Sequence, residues 1–199
     1  MRFFRDTVFV FTRAPRLGTV KRRLASAIGD RAALRFHIAT LHRLVRALAR
    51  DRRFRTVLAV TPDGGFVPGL RGEARVGQGR GDLGVRMARV LGMHRHGRAV
   101  IVGSDIPAAG AGDVRAAFRA LGRADAVFGP AVDGGYWLVG FGARRVSRPF
   151  AGVRWSSEYA LADTLANFAG VSVARLRTLS DVDTAADLAF VYSAAFRCS

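Results

Sequence analysis

Apolar residues along the chain fall into two patterns: short unbroken runs, and longer stretches in which they recur every three or four positions. Residues 7–11 (TVFVF), 56–61 (TVLAVT) and 99–103 (AVIVG) belong to the first kind. Runs of that length without a polar interruption predict strands buried on both faces. Leu34, Ile38, Leu41, Val45 and Leu48 belong to the second kind, and predict a helix capped by Asp30 and reaching about Arg50. Further helices are predicted over residues 82–93 and 113–121, from a cap at Ser156 or Ser157 to about Phe168, and after Asp183-Thr184. Shorter apolar segments at 74–76, 126–128, 136–141 and 171–176 complete the set of strands. Strands that alternate with helices predict an α/β protein, a three-layer α/β/α sandwich around a mostly parallel mixed sheet. The close pair flanking Gly134-Gly135 predicts an antiparallel excursion. In such sheets ligands bind beyond the carboxyl ends of the strands, so the loops that follow the strands matter most.

With 199 residues, half of them hydrophobic, the chain is long enough for one substantial core, and a single domain over 1–199 is expected. No apolar run approaches a membrane span, the N-terminus lacks the apolar stretch of a signal peptide, and the lone Cys198 has no internal partner. A cytoplasmic protein is the expectation. The net charge of +17 admits nucleic acid, an anionic surface or phosphorylated small molecules as partners. The arginines are scattered, however, and most aromatics lie in apolar runs, so nucleic acid is not expected as the main partner. Of the 32 basic residues 31 are arginine, a skew that suggests a GC-rich coding sequence. Lys21, the one lysine, and Gln78, the one glutamine, stand against that drift.

Candidate chemistry collects in the loops. Residues 12–25 place Pro15 and Gly18 between a strand and a helix that begins near Val20, with Arg13, Arg16, Lys21, Arg22 and Arg23 around them. A strand, a glycine-bearing loop and a helix start present backbone N–H groups to phosphate. The glycine spacing is neither a P-loop nor a dinucleotide fingerprint. Lys21 is expected here as an unpaired loop cation aimed at phosphate, where a compact ammonium differs from a guanidinium. After the third strong strand, Gly103-Ser104-Asp105-Ile106-Pro107 sets a carboxylate where Mg²⁺ or Mn²⁺ would be held, or where an aspartate simply closes a turn. Ser180-Asp181-Val182-Asp183-Thr184 offers alternate carboxylates that would complete a metal site, although Asp183 also suits a helix cap. Gln78 precedes Gly79-Arg80-Gly81-Asp82-Leu83-Gly84, and its amide suits a base edge or a sugar hydroxyl, while Asp82 suits a cap. Asp133-Gly134-Gly135-Tyr136 places a carboxylate and a phenol beside close-approach glycines, fit to orient an acceptor hydroxyl, to act as general base, or to form a tight hairpin. His37 and His42 have no partner at ligand spacing and read as structural or solvent-facing.

Taken in order, RAPRLGTVKRRL, Gln78 with GDLG, GSDIP, GPAVDGGYWLVG, FAGVRWS and DVDT resemble a bacterial family of GT-A-like proteins. Its members are described as DUF2064 or as nucleotide-diphospho-sugar transferases, some of them assigned to arsenosugar biosynthesis. The resemblance covers about residues 7–190, and is more distant to the 2-phospholactate and molybdenum-cofactor guanylyltransferases. It implies a nucleotide-binding domain in which Arg13, Ala14, Pro15, Gly18, Lys21, Arg23, Gln78, Gly81, Asp82, Gly84 and Ser104 surround the nucleotide. Asp105 and Asp183 would hold Mg²⁺ or Mn²⁺; Lys21, Asp105 and Asp133 would carry catalysis; Asp133, Gly134, Gly135, Tyr136 and Trp155 would receive the acceptor. The implied partners are a nucleotide-sugar, or a nucleoside triphosphate, and a small-molecule acceptor. Glycosyl transfer is the leading expectation and nucleotidyl transfer the second, because one fold serves both. The non-enzyme alternatives are a nucleotide-binding regulator and a basic nucleic-acid module.

Overall fold

The computed structural model describes residues 6–94 and 97–189, so Cys198 and the N-terminal arginines lie outside the described residues. Seven strands form one sheet in the order β3-β2-β1-β4-β6-β5-β7. The strands are β1 (Thr7–Arg13), β2 (Arg55–Thr61), β3 (Arg75–Gly77), β4 (Ala99–Gly103), β5 (Ala126–Pro130), β6 (Tyr136–Phe141) and β7 (Val173–Arg175). Only β6 runs against its neighbours, pairing antiparallel with β4 and β5, so the excursion expected at Gly134-Gly135 is present.

The unbroken apolar runs are explained by burial on both sides. Along β1, Val8 and Val10 face one core and Phe9 the other; along β2, Leu58 and Val60 oppose Val57 and Ala59. The first core is covered by α2 (Asp30–Ala49) and α4 (Ala111–Ala120), the second by α3 (Leu83–Gly92) and α5 (Ala160–Ala166). Alternation of side chains with a period of two makes each strand serve both layers. Among the described residues, no helix is long and apolar enough to cross a membrane.

Several boundaries differ from the sequence reading. Asp30 is the first residue of α2 rather than its cap, which is Gly29, and its carboxylate lies in the first turn, where it complements the helix dipole. The buried stripe of α2 runs through Ala33, His37, Leu41, Leu44 and Leu48, leaving Leu34 and Ile38 only half-buried. Helix α5 starts at Ala160 because Ser156 has φ 59°, outside helical space, and the Ser157 hydroxyl donates to Arg154 O at 2.7 Å. Asp183 does not cap the helical residues 185–189. Thr184 does, in a reciprocal arrangement in which Asp187 Oδ2 accepts from the Thr184 N–H at 2.7 Å.

The chain leaves β1 for β2 on one side, while β4 adjoins β1 on the other. That reversal opens a crevice at the carboxyl ends of β1 and β4. Its walls are tied together: the Ser104 N–H donates to Phe11 O at 3.2 Å, and the Ser104 hydroxyl to Thr12 Oγ1 at 3.1 Å.

Candidate active site

Three distant segments meet in this crevice. After β1 the backbone turns through Lys21, held in left-handed conformation at φ 49°, before α1 (Arg22–Ile28) begins. This turn directs the Lys21 side chain inward, where it is only 3% exposed. Its ammonium lies 3.1 Å from Asp105 Oδ2 and 2.7 Å from Asp183 Oδ1. Val182 is fully buried against Leu24 and Ala33, and this apolar peg sets Asp183 beside Lys21. Burial alone would lower the Lys21 pKa, but the Asp105 and Asp183 carboxylates outweigh it and raise the value. The expectation of an unpaired loop cation aimed at phosphate is therefore corrected: Lys21 is a buried cation bridging two carboxylates.

Each Asp105 oxygen has a basic neighbour. Oδ2 meets Lys21, and Oδ1 lies 3.4 Å from His37 Nδ1. Burial would push the Asp105 carboxyl up, yet the His37 and Lys21 contacts hold it well below the usual carboxylate range. His37 is buried on the core-facing stripe of α2, and its Nε2 donates to Arg13 O at 3.2 Å. It is structural rather than solvent-facing, and it also lines the basic cavity. Its place in line with Ala33 and Leu41 was the available signal. His42 is also structural, bonded to Pro68 O at 2.7 Å.

Around this cluster the crevice divides into two cavities that share Phe11, Leu83, Gly103 and Asp105. The first, about 540 Å³, is lined by Lys21, Arg13, Arg22, Arg23 and Arg86 together with Ser104 and Asp183. The second, about 320 Å³, is lined by Tyr136, Trp155 and Met87 together with Asp133 and Asp181. Tyr136 and Trp155 meet edge to face with centroids 6.3 Å apart. Burial, with Asp183 and Asp133 nearby, pushes the Asp181 carboxyl up to about 6.

Other expected nucleotide contacts are placed differently. Gln78 borders the basic cavity but is 2% exposed, and its amide N–H groups donate to Ala59 O at 2.7 Å and Thr12 O at 3.1 Å. Its carbonyl accepts from Arg86 Nη1 at 2.9 Å. Gln78 thus braces Arg86 and two strands instead of offering its amide to a base. Gln78→Leu is expected to leave two strand carbonyls short of a donor and to free Arg86, costing about 2 kcal/mol in urea denaturation. Asp82 caps α3 by accepting from the Val85 N–H at 2.8 Å, Gly84 packs against Phe150 and Trp155, and Gly81 forms the turn at φ 113°. Ala14 is core, and Gly18 turns the loop at φ 72°. With Pro15, these residues shape the walls and do not line the cavity.

On the other side Asp133 Oδ1 accepts from the Gly135 N–H at 2.9 Å, so it closes its own turn while lining the cavity. Gly134 has φ 84°, and a Cβ there would collide with the Glu158 carbonyl. Gly134→Ala is expected to cost about 2 kcal/mol by thermal denaturation, from strain and the displaced 158 backbone.

Asp105 and Asp183 suit a hard divalent cation in kind and number. Their oxygens already converge on one cation, the Lys21 ammonium, and their side chains remain 44% and 45% exposed. Mg²⁺ or Mn²⁺ typically takes one or two carboxylates and completes its shell with phosphate oxygens and water. Among the described residues, no three His, Cys, Asp or Glu side chains form a closed metal cage.

The comparisons agree with this architecture. A family model described as "Uncharacterized protein conserved in bacteria (DUF2064)" matches residues 40–157. A crystal structure from Desulfovibrio desulfuricans G20, provisionally described as a nucleotide-diphospho-sugar transferase, is 29% identical, with a TM-score of 0.87 over 94% of this chain and 86% of that one. The fold is also that of 4-diphosphocytidyl-2C-methyl-D-erythritol synthase from Anaerococcus prevotii DSM 20548, at 10% identity and a TM-score of 0.62 over 96% and 98% of the two chains. A manganese complex of Rv0371C from Mycobacterium tuberculosis H37Rv shares it at 17% identity and a TM-score of 0.54, over 94% and 97%. No curated protein matches the chain in sequence. The chain belongs to the DUF2064 family, built on the nucleotide-diphospho-sugar transferase fold.

Proposed function

We propose that the protein is a Mg²⁺- or Mn²⁺-dependent glycosyltransferase that takes a nucleotide-diphospho-sugar in the basic cavity and a small-molecule acceptor in the apolar one. The observation that carries this reading is the junction of two unlike cavities at Asp105, one lined by five cationic side chains and the other by aromatics. The relative from Desulfovibrio desulfuricans G20 and the manganese complex of the mycobacterial one support it.

In this reading Arg13, Arg22 and Arg23 receive the diphosphate, and Arg86, braced by Gln78, holds a fixed guanidinium toward it. The bond between the sugar carbon and the diphosphate oxygen breaks, and its electron pair leaves with the nucleoside diphosphate. The acceptor heteroatom bonds to the sugar carbon, and Asp133 takes its proton. A bound divalent ion would add positive charge against the leaving diphosphate. Lys21 fixes the orientation of Asp105 at the junction.

Nucleotidyl transfer would use the same basic cavity but break the α-phosphoryl–oxygen bond. A panel of nucleotide-sugars and nucleoside triphosphates, incubated with Mn²⁺ and candidate acceptors, separates the two. Release of nucleoside diphosphate is expected; release of pyrophosphate would overturn the reading.

A further inference from the structure

The two halves of the crevice differ in charge more sharply than the composition allows for. The chain carries 32 basic residues against 15 acidic ones. Yet among the described residues lining the 320 Å³ cavity there is no lysine, arginine or histidine, while Asp105, Asp133 and Asp181 all border it. Scattered arginine is the default in this sequence, so a cavity without any stands out. Asp105 is paired with Lys21, but Asp133 and Asp181 enter no ion pair among the described residues. The walls also include Tyr136 and Trp155, and aromatic rings of this kind favour cations.

From this segregation we infer that the acceptor is a small apolar molecule with a cationic head, such as an ammonium group, and that anionic and phosphorylated acceptors are excluded. This rests on the reading that the aromatic half receives the acceptor. Cavities of this kind gain affinity from apolar walls and orientation from a few polar groups. A cation set on an aromatic body satisfies both: its ring packs on Trp155 and Tyr136, and its head meets Asp133 and Asp181. A carboxylate or phosphate would enter without one cationic partner in that half, beside two unpaired carboxylates, and such burial is strongly disfavoured. The whole-protein field acts the other way, since a net charge of +17 attracts anions. Preference for a cation therefore has to come from the cavity itself.

Three probes share one ring and differ only in the head: tryptamine is cationic, tryptophol neutral and indole-3-propionate anionic. Each is titrated by calorimetry into the full chain without nucleotide. Affinity is expected to fall in that order, with tryptamine at least tenfold tighter than indole-3-propionate. Asp133→Asn and Asp181→Asn, checked for unchanged melting behaviour, should each narrow that ratio severalfold. Asparagine keeps the shape and removes like-charge repulsion, so both variants should fold. Equal or tighter binding of indole-3-propionate, no binding of any probe, or a ratio indifferent to both substitutions would overturn the inference. A separate titration with nucleoside diphosphates and Mn²⁺ reports on the donor half. Loss of nucleotide binding with the probe order intact would refute the glycosyltransferase reading and leave the charge preference standing. Nucleotide binding with a reversed probe order would do the opposite.

Discussion

Lys21→Met is expected to destabilise the protein by about 3 kcal/mol and to make its stability depend on divalent metal. Methionine keeps most of the stem and removes the ammonium, leaving Asp105 and Asp183 facing one another without the cation now 3.1 and 2.7 Å away. Breaking a buried pair so that charge is left unpaired costs about 3–5 kcal/mol, and the partial exposure of these carboxylates argues for the low end. A divalent ion binding the folded state should then restore stability in proportion to its free concentration. In urea denaturation Mn²⁺ should raise the midpoint of Lys21→Met clearly more than that of the parent. Lys21→Arg should fall between them, because a planar fork does not reproduce a compact ammonium between two carboxylates. An unchanged midpoint in Lys21→Met would show that the ion pairs contribute nothing to the fold.

Asp105→Asn is expected to preserve the fold and to weaken metal-dependent nucleotide binding on the order of 100-fold, about 3 kcal/mol. The substitution keeps size and shape, and Lys21 retains Asp183 at 2.7 Å, so the crevice should not collapse. What disappears is the carboxylate that His37 and Lys21 hold ionised at the junction of the cavities. A neutral amide binds a hard divalent cation far less well than a charged oxygen. Calorimetry of a nucleoside diphosphate with and without Mn²⁺ reads the effect directly. Should the variant keep the parent's metal dependence, Asp105 only closes its turn. Asp183→Asn should follow in the same direction with a smaller loss. Its capping role has passed to Thr184 and Asp187, so helix stability should not confound the result.

The layered fold was legible because its signals are local. The runs of β1, β2 and β4 had to be buried on both faces, and the Gly134-Gly135 turn marked the antiparallel pair. Lys21, Asp105 and Asp183 could be nominated one loop at a time, because each follows a strand or precedes a helix. Their partners were not legible. That Lys21 faces two carboxylates depends on a left-handed backbone at a non-glycine residue and on the Val182 peg, neither of which has a sequence signature. The rarity of Gln78 marked its position as special without saying where the amide points, and the amide points to backbone. His37 was hidden because a histidine on an apolar stripe normally packs in a core. Its role depends on how α2 lies across the loops after β1 and β4.

If metal and diphosphate meet in the basic cavity, they do so beside Asp105 and Asp183. In a crystal grown with Mn²⁺ and a nucleoside diphosphate, the anomalous scattering of manganese locates the ion. One strong peak is expected within coordination distance of Asp105 and Asp183, with phosphate oxygens completing the shell and the diphosphate lying along Arg13, Arg22 and Arg23. A nucleotide seated against Trp155 and Asp133, or a manganese peak away from both carboxylates, would refute this placement of donor and metal.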